Sequence, residues 1–156
     1  MINIITGKIN SFKTTRIKEL FEKDCCGQGF VSLKTMEEGK VLFYEFENLQ
    51  AKTKQIGIIN TANYPNHFTN YETLGPYAFD LDCLQEMTHH LEKWIEQKIE
   101  PIYLDEIGLL EVNKLFFYPI LKRIVQEDIE TYITVRSSLV EEVVEVFGLT
   151  NYTIMK

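Results

Sequence analysis

The chain has 156 residues, 45% of them apolar and 25% charged, which suits one globular domain over residues 1–156 with a core of its own. A formal net charge of −7 disfavours nonspecific binding to nucleic acid or an anionic membrane, and no apolar run approaches the roughly 20 residues of a membrane span. Three cysteines without metal-ligand spacing, and a start without a signal-peptide pattern, make a reducing, cytoplasmic setting the expectation.

Ile2–Ile5 is a short isoleucine-rich run that suits a strand covered on both faces of a parallel sheet. A helical pattern begins near Thr14, with Ile17, Leu20 and Phe21 on one face, and stops before the turn Cys25–Gly29. Adjacent Cys25 and Cys26 read as plain thiols, since a disulfide between neighbours is strained. Phe30–Lys34, Lys40–Glu47 and Thr53–Ile59 alternate as short antiparallel edge strands, the first two joined by a turn at Glu37–Gly39. Asn60–Asn70 is a polar loop. After the Gly75–Pro76 turn comes a short extended piece, Tyr77–Phe79, with Asp80 placed to cap a helix. That helix carries Leu81, Leu84, Met87, Leu91, Trp94 and Ile95 on one stripe, and His89–His90 on it reads as a solvated pair.

Pro101–Leu104 is again a buried-strand pattern, ending in Asp105–Glu106. Leu115–Val125 is helical, and Pro119 either kinks that helix or marks its start. Thr131–Val135 is a strand, Ser138–Glu141 reads as a capping box for a helix ending at Gly148, and Tyr152–Met155 closes the sheet. Strand alternating with helix implies an α/β fold with a mainly parallel sheet.

Two segments carry chemistry. Gly7-Lys8-Ile9-Asn10-Ser11-Phe12-Lys13-Thr14-Thr15 follows a strand and opens a helix, with Gly7 and Lys13–Thr14 at phosphate-loop spacing. Such a loop needs converging backbone N–H groups, a lysine for the β/γ-phosphates and a hydroxyl for Mg²⁺. Phe12 stands where the pattern has its second glycine, so its side chain can crowd the phosphates or strain the turn. The second segment, Ile102–Glu106, ends a later apolar strand in two acids, at the sheet edge where ligands gather in open α/β folds. Asp105 suits a metal-supporting carboxylate and Glu106 a base that polarises water. Arg136, following Thr131–Val135, is a candidate for stabilising transition-state charge, against its plainer reading as a surface arginine.

The run Asp105-Glu106-Ile107-Gly108-Leu109-Leu110-Glu111 resembles the D-E-I-G-x-[ML]-E signature of THEP-type nucleoside-triphosphatases. Gly29-Phe30-Val31-Ser32 and Leu74-Gly75-Pro76-Tyr77 resemble that family's G-F-x-T and G-x-Y segments, and the resemblance runs from about Ile2 to Phe147. It implies a RecA-like P-loop NTPase fold, a three-layer sandwich, and Mg²⁺-dependent hydrolysis of nucleoside triphosphates with broad base tolerance by a monomer. By position, it implies that Lys13 contacts the β/γ-phosphates, Thr14 and Asp105 serve the metal, and Glu106 orients water. The family's basic residues after G-F-x-T are reduced here to Lys34. Phe12 keeps a second reading open: a nucleotide-binding or scaffold module with impaired turnover. A kinase is the third reading, and the sequence offers no arginine-rich lid for it.

Overall fold

The computed structural model describes residues 1–9 and 11–156; Asn10, expected in the phosphate loop, lies outside them. One sheet runs through the molecule. Its strands are β1 (Ile2–Gly7), β2 (Gln28–Glu37), β3 (Lys40–Asn48), β4 (Lys54–Asn60), β5 (Tyr71–Leu74), β6 (Tyr77–Asp80), β7 (Ile102–Ile107), β8 (Thr131–Arg136) and β9 (Tyr152–Met155). Their order is β5-β6-β4-β3-β2-β7-β8-β1-β9. The half from β2 to β9 is parallel, and the half from β2 to β5 is antiparallel. The α/β fold expected from the sequence is therefore present, and the antiparallel strands expected at the edge of a mainly parallel sheet form one whole wing of it.

Helices cover both faces. On one side lies α1 (Lys13–Asp24), whose Ile17 and Phe21 close over Ile5, Val31, Leu49 and Tyr103. The opposite face carries α2 (Leu81–Glu96), α3 (Leu109–Val112), α4 (Tyr118–Gln126) and α5 (Val140–Phe147). The larger core there joins Ile2, Ile4, Leu104, Ile133 and Val135 to Leu91, Trp94, Leu121 and Val143. Asn3 interrupts the isoleucines of β1, yet its amide donates to the Thr131 carbonyl and accepts from Thr153 Oγ1 at 2.8 Å, so its burial is compensated.

Local readings met mixed outcomes. Asp80 caps α2 through Asp82 N–H at 3.0 Å, as its position suggested. Pro119 begins α4 rather than kinking a longer helix, since the first turn tolerates its missing N–H. The capping box at Ser138 does not form: a 3₁₀ turn, Ser137–Leu139, leads into α5, whose N-cap is Leu139. Cys25 ends α1 in a left-handed turn, and Gln28–Gly29 already belong to β2. Of the histidine pair, His90 is not freely solvated, because it stacks on Trp94 with ring centroids 5.8 Å apart.

Strand order places β8 between β1 and β7. Gly7 pairs with Arg136, and Ile107 with Val135, so the three strands end at one sheet edge. The parallel register thereby delivers Lys13–Thr14, Asp105–Glu106 and Arg136 to one place.

Candidate functional site

The phosphate loop closes tightly at its start. A Cβ on Gly7 would sit 2.2 Å from Ser11 Oγ, so a larger residue here would push the serine hydroxyl aside. Phe12 is the N-cap of α1, with φ 62° and ψ 28°, and its carbonyl accepts the Arg16 N–H at 3.0 Å. The position does ask for a glycine-type backbone, and phenylalanine adopts it with the residue 78% exposed. Ile9 and Thr15 are exposed as well.

Lys13 reaches back across the loop: its ammonium donates to the Lys8 carbonyl at 2.7 Å, to the Gly7 carbonyl at 3.4 Å and to Ser11 Oγ at 3.4 Å. Partial burial pulls its pKa down, Glu106 and Asp105 oppose this, and Arg136 and Lys34 add to it. Lys13, Lys34 and Arg136 thus lie near enough to the two acids for their charges to be felt.

Asp105 is the buried anchor of the site, 3% exposed. Thr14 Oγ1 donates to its Oδ2 at 2.6 Å, and the Ser32 N–H reaches the same oxygen at 3.1 Å. Thr134 Oγ1 donates to Oδ1. Burial pushes the carboxyl above its ordinary value, and these donors, Thr134 foremost, hold it back. A hydroxyl and a carboxylate oxygen in contact are hard donors of the kind Mg²⁺ takes. Among the described residues no group of three or more His, Cys, Asp or Glu could cage a metal.

Glu106 is solvent-accessible, yet the surrounding protein still desolvates it. Desolvation, then the neighbouring Asp105, raises its pKa, while Lys34, Lys13 and Arg136 lower it. The predicted pair is therefore differentiated, with Asp105 buried and held by three hydrogen bonds and Glu106 open to the crevice.

Sequence reasoning missed three contributors. Thr134 is a polar residue inside an apolar strand, and that contrast was its one available signal. Ser32 acts through its backbone N–H, which side-chain patterns do not reveal. Tyr44 on β3 pairs with Lys34 of β2, and burial, Tyr77 and Glu106 push its hydroxyl up to about 12, with Arg136 opposing. Tyr44 thus remains a neutral phenol on the crevice wall.

Comparison with known proteins gives three likenesses. A family model described as NTPase matches residues 3–155. The chain is 26% identical over 136 residues to nucleoside-triphosphatase THEP1 of Thermotoga sp. (strain RQ2), covering 86% of this chain and 74% of that protein. The crystal structure of THEP1 from the hyperthermophile Aquifex aeolicus superposes with a TM-score of 0.69 at 18% identity, over 100% of this chain and 89% of that one. That likeness speaks to the fold, a P-loop NTPase fold.

Proposed function

Because the chain belongs to the NTPase family, we propose that it hydrolyses nucleoside triphosphates to the diphosphate and phosphate in a Mg²⁺-dependent reaction at the edge where β1, β7 and β8 end. One observation carries the reading: Thr14 Oγ1 and Asp105 Oδ2 meet at 2.6 Å although 91 residues separate them. Such a contact is what a phosphate-loop hydroxyl and a metal-supporting acid would make if both served one ion.

The roles follow from position. The N–H groups of the Gly7–Thr15 loop and the Lys13 ammonium hold the phosphate chain, and in doing so neutralise charge that develops on the transferred phosphoryl. Thr14 and Asp105 would hold Mg²⁺, which would supply positive charge to offset that of the phosphates. Glu106, facing the crevice, accepts a proton from the attacking water or orients it. Lys34 and Arg136 bring further positive charge to the same crevice. No base-recognition pattern stands out, so broad base tolerance and action as a monomer in the cytoplasm complete the proposal. No helix of the described residues is long and apolar enough to cross a membrane.

Phosphate release across a panel of nucleoside triphosphates with Mg²⁺ tests this directly. Glu106→Gln should lower turnover at least about 100-fold while Mg²⁺-nucleotide binding stays within about threefold. Unchanged turnover would remove Glu106 from the mechanism. Phe12 in its left-handed backbone favours a second reading, a weakly binding module with little turnover. Calorimetric titration with a non-hydrolysable triphosphate separates the two, since micromolar affinity counts against the weak binder and silence across the panel supports it.

A further inference from the structure

Glu106 sits where β7 breaks its ladder. Leu104 pairs with Ile133 and Ile107 with Val135, so three residue steps of β7 span two of β8. Glu106 takes up the surplus residue with φ 58°. Bulges of this kind re-aim a side chain, and a non-glycine residue persists in the left-handed region only where its surroundings hold it there.

A bulge also takes ladder partners from the N–H groups it displaces. Thr134 recovers the one on Glu106, and just beyond the strand Glu111, in the first turn of α3, satisfies the N–H of Gly108, that helix's N-cap. Glu106 N–H donates to Thr134 Oγ1 at 2.7 Å, and Gly108 N–H donates to Glu111 Oε2 at 3.0 Å. Glu111 is 2% exposed, and its carboxyl ties the end of β7 to the first turn of α3. Burial pushes that carboxyl up to about 7, the Gly108 N–H opposes the shift, and nearby Glu106 adds to it. A leucine of similar volume would fill the space without desolvating an acid, so packing alone does not account for Glu111.

We propose that Glu111 is a positioning residue: through the Gly108 N–H it holds the bulge that aims Glu106 at the attacking water. The inference rests on the reading of Glu106 as the residue that activates water. Glu111 acts through backbone, so its loss should lower kcat and leave nucleotide affinity in place.

The test is steady-state turnover, beside the Kd for a non-hydrolysable triphosphate with Mg²⁺. Glu111→Leu should reduce kcat by about 100-fold, the scale of a misplacement near 1 Å, with Kd within about threefold. Glu111→Gln keeps an acceptor oxygen for Gly108 and should recover kcat to within about tenfold of wild type. In a Glu106→Gln background, Glu111→Leu should lower turnover no further, because the carboxylate it aims is already gone. Should the leucine variant fail to fold, Glu111→Asp carries the test: it keeps the charge but withdraws it by one methylene, and kcat should fall about tenfold at constant Kd. Wild-type kcat in the leucine or aspartate variant, an equal loss in Kd, or a full additional loss in the double variant overturns the proposal. Wild-type turnover in Glu106→Gln alone refutes the catalytic reading instead, so the two failures are distinguishable.

Discussion

Phe12 shows how a backbone requirement and a side chain can be at odds at one position. Its φ of 62° is the conformation that glycine takes freely and that costs an L-residue about 1–2 kcal/mol. With the residue 78% exposed, little burial offsets that cost. Phe12→Gly removes the strain but adds about 0.5–1 kcal/mol of unfolded-state entropy, leaving a net gain of about 0–1.5 kcal/mol. A Tm unchanged or raised by up to about 6 °C is expected in a thermal melt. A lower Tm would mean that the ring contributes packing that exposure does not reveal. The same variant should bind Mg²⁺-nucleotide at least about fivefold tighter by calorimetry, as the glycine lets phosphates approach the backbone. The spacing from Gly7 made the conflict readable in the sequence. Glu106 was readable as an acid but not as a left-handed bulge residue, because nothing in its identity asks for positive φ.

At the level of elements, β8 is more than a spacer between the phosphate-loop strand and the acidic strand. Its Thr134 is fully buried, donates to Asp105 Oδ1 and accepts the Glu106 N–H. Thr134→Val keeps the shape and withdraws both bonds. Leaving a buried carboxylate and an N–H short of partners costs about 2–3 kcal/mol, which in a chain of this size lowers Tm by about 4–12 °C. Turnover should fall about 10–100-fold with it, and a variant that melts like wild type would show that Thr134 holds neither acid. Strands with apolar alternation or runs, β1, β2, β3, β4, β7 and β8, were legible, because burial on one or both faces writes itself into the pattern. β5 was not, since all four of its residues are exposed at the sheet edge and burial imposes no pattern there. α3 was hidden for a related reason, a four-residue helix being too short to show a period. The Ser138 capping box failed because Leu139, 9% exposed, is drawn into the core and winds the preceding residues into a 3₁₀ turn.

Across the whole molecule, the net charge of −7 conceals a local arrangement in which Lys13, Lys34 and Arg136 lie near the acids of the crevice. That convergence depends on long-range register, which composition cannot convey. The buried acids also set how stability depends on pH. Glu111 has an ordinary pKa of 4.5 and is pushed by burial up to about 7 in the folded chain. The folded state therefore holds this proton more tightly than the unfolded state does. Its stabilising contribution is complete below 4.5, declines as pH rises, and is lost by about 7. The size of that change is about 3 kcal/mol. Asp105 and Glu106 are shifted in the same direction, so the wild-type curve alone mixes three acids. Glu111→Gln isolates one of them, as glutamine does not titrate and the other two remain in both proteins. Denaturant unfolding of the pair at a series of pH values should show the variant gaining about 3 kcal/mol on the wild type between pH 4.5 and 7. Parallel curves would mean that Glu111 titrates near its unfolded value, and that its carboxyl is better solvated than its 2% exposure indicates.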